Sequence, residues 1–195
     1  MASLFRPVLQ AIGHALRPVR PGPIMLASSR WSGFLPFALR VSSPAFADGG
    51  AMPVRFSMDG EGRFPPLVWE GLPAATQSVA LLVEDADVPA LRPLVHCIVY
   101  GIPPSMTELA EGAVPRRMRG PSPQGWACGR TSLSGLGWLP PSPPPGHGPH
   151  RYAFQVFALS ARPVFGRPPS RSRLLKAIRP HLLAQGRLVG HYERR

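Results

Sequence analysis

From about residue 39 onward, short apolar stretches alternate with turn sequences. The pattern predicts strands at 39–43, 52–57, 67–69, 78–84, 94–100 and 152–159. Turn signals such as Asp48-Gly49-Gly50 and Asp59-Gly60 separate them. Regular short strands with such turns are typical of an antiparallel β-sandwich or barrel. Both faces of 152–159 are largely apolar, so we expect that strand to be central in its sheet.

The last quarter of the chain changes from a loop to a helical pattern. Residues 140–149 are too rich in Pro and Gly for a strand or a helix. Residues 172–185 carry apolar side chains at helical spacing, but Pro180 interrupts them. We therefore predict two short helices there, followed by a final strand at 187–192.

The first residues have a different character from the rest. Residues 1–47 contain five Arg but no Asp or Glu. We expect residues 1–38 to form a basic, partly helical or flexible extension, and residues 39–194 to form the β domain. A membrane-surface helix, a transit peptide and a helix packed on the domain are alternatives. A secretory signal is disfavoured because polar or helix-breaking residues interrupt the apolar positions Leu4, Phe5, Val8, Leu9, Ile12 and Leu16.

Composition and charge limit the classes of function. With 44% apolar and 16% charged residues, the chain is not a disordered protein. It has no run of about 18 uncharged apolar residues, so we expect no membrane-spanning helix and predict a cytoplasmic protein. The net charge is +12, but the basic residues (all Arg except Lys176) are scattered along the sequence. We therefore expect no nucleic-acid partner. The two cysteines suggest neither a disulfide framework nor a metal site.

Candidate chemistry concentrates in three places. Three of the ten acidic residues fall within Glu84-Asp85-Ala86-Asp87, directly after an apolar run. If the strand continues, Asp85 and Asp87 project to one face; otherwise they form a turn that caps the strand end. His96 is the one polar side chain in its strand and is either a site residue or a buried structural histidine. His150 and Tyr152 follow the Pro/Gly loop and share a face, with His147 close by in the loop.

Convergence of these side chains would create a small site with hydrogen-bond donors and acceptors. Such a mixture suits an anion or a zwitterion, because His donates to phosphate oxygens and carboxylates hold an ammonium group. The chain has no Gly-x-Ser-x-Gly elbow, phosphate-binding Walker loop, dinucleotide fingerprint or His-Glu-x-x-His pair. We therefore predict a binding protein with no catalytic residues, metal or cofactor. A small hydrolase or lyase that uses the Asp/His cavity is the alternative, as is a peripheral membrane protein anchored by residues 1–47.

One ordered set of motifs runs along the chain: Asp59-Gly60-Glu61, Pro65-Pro66-Leu67-Val68-Trp69, Asp85-Ala86-Asp87-Val88-Pro89, His96, Pro143-Pro144-Pro145-Gly146 and His150-Arg151-Tyr152. This set resembles the phosphatidylethanolamine-binding protein family. The resemblance covers about residues 39–194 and is greatest for the bacterial, Raf-kinase-inhibitor-like branch (the YbhB/YbcL type).

The resemblance implies an antiparallel β-sandwich with a small anion-binding cavity near one end. Carried over by position, the cavity residues are Asp85, Asp87, His96, Pro144, His150 and Tyr152. The implied ligand is phosphate-bearing and similar to a phospholipid head group. The resemblance also implies regulation or inhibition of a kinase or protease. The basic extension would allow contact with a membrane surface, and we expect a monomer or a homodimer.

Overall fold

The computed structural model describes residues 2–33, 35 and 38–194, with side chains from residue 7 onward. Helix α1 spans Ala2–Leu16 and helix α2 spans Arg171–Ile178. Short 3-10 turns cover Pro23–Met25, Ser28–Arg30, Val54–Phe56 and Arg179–His181. The strands are β1 Arg40–Ser42, β2 Gly50–Ala51, β3 Leu67–Glu70, β4 Ser78–Asp85, β5 Leu94–Ile102, β6 Glu108–Leu109, β7 Ala127–Cys128, β8 His150–Leu159 and β9 Leu182–Tyr192.

These strands form two sheets, and the prediction of a mainly β fold is confirmed. The small sheet has the order β1-β3-β6, and the large sheet has the order β2-β9-β8-β4-β5-β7. All pairs are antiparallel except β2 with β9, which is parallel. Strand β8 lies between β4 and β9, so the prediction that it is central in its sheet is also confirmed.

The large sheet is covered on both faces. On one face, alternate residues of β4 and β8, including Val83 and Phe154, pack into the main core. On the other face, Leu82 and Phe157 pack against Leu174 of α2 and against Trp31. Trp31 belongs to the residues before β1, which we call the N-terminal segment. Double coverage explains the continuous burial of β4, which shows no alternation of exposed and buried positions.

Two of the predicted elements differ from the structure. The strand predicted at 52–57 is a 3-10 turn after the two-residue strand β2, because Pro53 has no N–H to continue a ladder. Residues 182–185 are not helical: β9 begins at Leu182 and pairs with β8 along its length. Pro180 lies in the 3-10 turn that ends the helical segment.

The N-terminal segment is tied to the second face of the large sheet by buried polar groups. The backbone N–H of Ala27 donates to Glu84 Oε2 at 2.9 Å, and that of Ser28 donates to Gln155 Oε1 at 2.7 Å. Arg171 of α2 binds the other oxygen of Glu84 at 2.5 Å and also donates to the Met25 carbonyl. Glu84 thus joins β4, α2 and the N-terminal segment in one network.

Candidate functional site

Strand pairing brings three of the predicted site residues to one face of the large sheet. Asp85 is the last residue of β4 and stands opposite Tyr152 of β8. Directly paired residues of antiparallel strands point to the same side, and so do residues two apart, so His150 joins them. All three side chains are buried.

A β-bulge brings His96 to the same group. Between Val83 and Glu84 the register of β4 against β5 shifts, so that His96 is the extra residue between Val95 and Cys97. Simple alternation would place His96 on the face of Ile98, but a bulge redirects the side chain at that point. Its ring instead packs edge-on against Tyr152, with the centroids 5.0 Å apart, and lies 6.1 Å from Trp138. His96 Nδ1 donates to the Leu139 carbonyl at 2.6 Å.

Asp85, His150 and His147 form a continuous hydrogen-bonded chain. His150 Nδ1 lies 2.7 Å from Asp85 Oδ2, and His150 Nε2 lies 2.7 Å from His147 Nδ1. His147 Nε2 lies 3.0 Å from the Leu16 carbonyl. The carbonyl and an ionised Asp85 can only accept, so three bonds require three N–H groups, whereas two neutral imidazoles supply only two. While both rings are neutral, only two of the three contacts are N–H hydrogen bonds at any one time, and burial lowers the pKa of His147.

Asp87 does not join this chain. Strand β4 ends at Asp85, whose Oδ1 accepts from the Asp87 N–H at 2.8 Å, and this local turn swings Asp87 away. Its carboxylate binds the side chain and backbone N–H of Arg151 and also Arg20, 3.1 Å away. Burial opposes ionisation of Asp87, but these hydrogen bonds win and lower its pKa to about 2.

Pro144 lies in the loop that covers the cluster. Its carbonyl accepts from the His147 N–H at 3.2 Å, so it closes the turn that presents His147. Helix α1 crosses this loop closely: a Cβ on Gly13 would lie 2.0 Å from the Pro145 carbonyl oxygen. A Cβ on Gly146, whose φ is +77°, would lie 2.7 Å from the Gln10 carbonyl oxygen. Glycine at both positions permits the contact.

Buried polar atoms without partners gather at this cluster. Among the described residues, seven buried side-chain N or O atoms lack a hydrogen-bond partner, and three of them are His96 Nε2, Tyr152 Oη and Trp138 Nε1. The His96 ring contacts both of the other rings. Burial lowers the pKa of His96, against the opposing effects of Asp85 and the Leu139 carbonyl. Burial and both aspartates raise the pKa of Tyr152 well above its usual value, so it remains a neutral phenol.

Sequence reasoning missed two residues that shape the site. His147 was noted only as a neighbour in the loop, yet it is completely buried and bonded to His150. Arg20 donates to the carbonyls of His147 and Pro149 as well as binding Asp87. The spacing of two histidines around Gly148-Pro149 was a signal for His147. Arg20 gave none, because it reaches the site from the N-terminal segment, far away in sequence.

Two further observations concern the classes of function considered from the sequence. Within residues 2–33, 35 and 38–194, the structure shows no helix with the length and apolar character to cross a membrane. The same residues include no group of three or more His, Cys, Asp or Glu side chains arranged to hold a metal ion.

Relatives of known sequence match most of the chain. A UPF0098 protein of Methanothermobacter thermautotrophicus is 35% identical over 156 residues, which are 80% of this chain and 99% of that protein. A UPF0098 protein of Aquifex aeolicus is 35% identical over 158 residues, covering 80% and 89% of the two chains.

Solved structures are similar over a comparable share of the chain. A putative phosphatidylethanolamine-binding protein homologue from Chlamydia trachomatis has a TM-score of 0.72 and 32% identity, over 81% of this chain and 99% of that one. Escherichia coli YbcL, described as a new member of the mammalian PEBP family, has a TM-score of 0.74 and 26% identity, with the same coverage. The sequence model of the phosphatidylethanolamine-binding protein family matches residues 42–193. The chain therefore belongs to the phosphatidylethanolamine-binding protein family.

Proposed function

We propose that this chain is a binding protein for a small phosphate-bearing or similar anionic ligand, held by His96, His150 and Tyr152 beside Asp85. The observation that carries the proposal is the pair of buried, unpartnered atoms His96 Nε2 and Tyr152 Oη on contacting rings. A buried polar atom without a partner costs about 1–3 kcal/mol. A ligand oxygen that accepts from Tyr152 would recover that cost.

The cluster supplies both signs of interaction that a zwitterionic head group needs. His150 has both ring nitrogens in hydrogen bonds, and its Nε2 would donate to a phosphate oxygen in place of His147. Asp85 offers a carboxylate for an ammonium group. The ligand would therefore displace His147 from His150, and this loop would move on binding.

The same contacts support binding over catalysis. An Asp–His pair activates a nucleophile when the second imidazole nitrogen contacts a hydroxyl or thiol. Here that nitrogen contacts His147. A hydrolase or lyase is thus less well supported than a binding protein. Regulation of a kinase or protease, a cytoplasmic location and a monomeric or dimeric state stay predictions.

Tyr152→Phe tests the proposal, because it removes only the unpartnered oxygen. We expect calorimetry to show about tenfold weaker binding of phosphoethanolamine and inorganic phosphate, equivalent to one hydrogen bond to a charged group. Unfolding of the ligand-free protein should show no loss of stability. Tyr100→Phe is the matched control, since Tyr100 packs on Phe165 on the other face of the sheet. Equal affinities for wild type and Tyr152→Phe would refute the site.

His150→Ala and Asp85→Asn then distinguish the ligands. We expect His150→Ala to weaken the binding of phosphoethanolamine and of inorganic phosphate, because each ligand carries a phosphate. Asp85→Asn should weaken phosphoethanolamine more than inorganic phosphate, because a carboxylate attracts an ammonium directly. Equal losses for the two ligands would leave a plain anion site.

A further inference from the structure

A second, strongly basic cavity lies on the opposite face of the large sheet from His96 and His150. Its volume is about 970 Å³. Four parts of the chain form its walls: the N-terminal segment near Trp31, the start of β5, residues 130–132 and α2. Trp31, Val95 and Leu175 belong to the hydrophobic cluster of this second face, which is separate from the core that holds Tyr152.

The wall carries positive charge without acidic residues to balance it. No Asp or Glu is among its described lining residues, whereas six cationic side chains are: Arg30, Arg92, Arg130, Arg171, Lys176 and Arg179. Arg171 is committed to Glu84, which is buried behind the wall. The other five side chains make no ion pair with any described residue, and all five are exposed. The scatter of Arg along the sequence conceals this concentration, because distant segments supply it.

The remaining lining groups complement an oxygen-rich ligand. Thr131, Ser132, Ser170 and Ser172 add hydroxyl groups. Ser170 is the N-cap residue of α2 but makes no side-chain capping hydrogen bond. Because Ser170, Arg171 and Ser172 line the cavity, the positive end of that helix borders the same space.

We propose that this cavity binds a small molecule bearing two or more phosphate groups, of the size of a nucleoside triphosphate. Five neighbouring cations repel one another, and a ligand with several negative charges relieves that repulsion better than a single phosphate. The volume is at the upper end of the range for small-molecule sites and exceeds the needs of inorganic phosphate. Trp31, Val95 and Leu175 provide apolar surface for the organic part of the ligand. The proposal is independent of the site on the other face.

Calorimetry at about 0.15 M salt, where exposed charges are largely screened beyond about 8 Å, tests this site with ATP, pyrophosphate and inorganic phosphate. We expect ATP and pyrophosphate to bind at least tenfold more tightly than inorganic phosphate at this site. The double variant Arg130→Gln/Arg179→Gln should weaken ATP binding tenfold or more. The control Arg167→Gln/Arg173→Gln removes the same charge from exposed arginines that do not line the cavity. If the double variant does not fold, the single variant Lys176→Gln replaces it. We expect Lys176→Gln to lose less affinity for ATP than the double variant.

Equal losses in test and control variants would overturn the proposal, because only overall charge would then matter. It would also be overturned if a single-stranded oligonucleotide bound while ATP and pyrophosphate did not, since the cavity would then serve nucleic acid. The loss of ATP affinity caused by Arg130→Gln/Arg179→Gln should be the same whether residue 152 is Tyr or Phe, and this separates the second site from the first.

Discussion

His96 links the first site to pH. Its Nδ1–H is committed to Leu139, so Nε2 presents only a lone pair while the ring is neutral. Burial lowers the pKa of His96 and keeps the free ring neutral. The charge of the nearby His150 lowers this pKa further, whereas the charge of Asp85 raises it. A bound anion stabilises the imidazolium form and so raises that pKa. Anion binding at this position would therefore take up a proton.

We expect affinity for an anion to be highest below the free-state pKa of His96. It should fall as pH rises from that value to the higher pKa of the complex, and level off above it. Sulfate is the suitable probe, because phosphate esters change their own charge near pH 6. Calorimetry between about pH 5 and pH 8 should show the decline, at most tenfold per pH unit for one proton. His181→Gln, outside the site, should keep the same slope. A flat profile would mean that neutral donors hold the anion.

Asp87 contributes to stability through its ion pairs with Arg151 and Arg20. Its pKa is about 2 in the folded protein, against an ordinary value near 3.8, because Arg151 and Arg20 stabilise the carboxylate. A group with a depressed folded-state pKa stabilises the protein above its unfolded pKa and loses this contribution as pH falls through the folded value. Asp87→Asn should therefore lower the free energy of unfolding by about 2 kcal/mol at pH 7.

Denaturant unfolding at two pH values checks this expectation for Asp87. The difference between wild type and Asp87→Asn should shrink between about pH 4 and pH 2, where the wild-type carboxylate is protonated. Asp48→Asn is a milder comparison, since Asp48 accepts one N–H from Val189 at the surface. A difference that does not change with pH would assign the loss to packing.

At the scale of elements, the N-terminal segment holds the loop of the first site closed. The Leu16 carbonyl fixes His147, while Arg17 and Arg20 donate to carbonyls of residues 146, 147 and 149. Removing residues 1–20 leaves the His147 ring with only its hydrogen bond to His150. We expect phosphoethanolamine to bind the truncated chain about threefold to tenfold more tightly, the equivalent of one net hydrogen bond.

Arg20→Ala should reproduce part of the gain from truncation. Arg119→Ala, at an exposed position with no ion pair among the described residues, should reproduce none of it. Unchanged or weaker binding by the truncated chain would show that the segment does not compete with the ligand and instead supports the site.

The strands that position the first site were predictable from the sequence. The contacts by which the N-terminal residues hold the loop over this site were not. Strands β4 and β8 are long, apolar and buried on both faces, so their existence and most of their bounds followed from the sequence. Because the sheet is covered on both faces, residues 182–185 show no alternation of apolar and polar positions. Their pattern therefore did not distinguish a strand from a helix. The orientation of His96 depends on a bulge in β4–β5 pairing, which side-chain alternation does not reveal. The contacts of Leu16 and Arg20 depend on chain packing across more than 100 residues.

At the scale of the whole molecule, a high positive charge is combined with an exposed apolar face on helix α1. Acidic residues are few and mostly committed to ion pairs, and the net charge is +12. Helix α1 adds apolar exposure, because Val8, Leu9 and Ile12 are 55%, 51% and 51% exposed. A basic protein with an exposed apolar helix face is suited to an anionic membrane surface.

We therefore expect the full chain to bind vesicles that contain phosphatidylserine more strongly than vesicles of phosphatidylcholine alone. Charge alone would produce part of this preference, so the informative variant is Leu9→Asp/Ile12→Asp. Co-sedimentation should fall several-fold for this variant, since it removes apolar insertion and adds like charge to that of the lipid. Ile24→Asp is the control, because Ile24 is 80% exposed but lies outside α1. If both variants lose vesicle binding equally, charge explains the association and α1 is not a membrane contact.

If only the α1 variant loses vesicle binding, the helix that closes the first site is also the part that contacts the lipid. Contact with a membrane would then compete with the Leu16–His147 contact and open the site where phosphate head groups are concentrated.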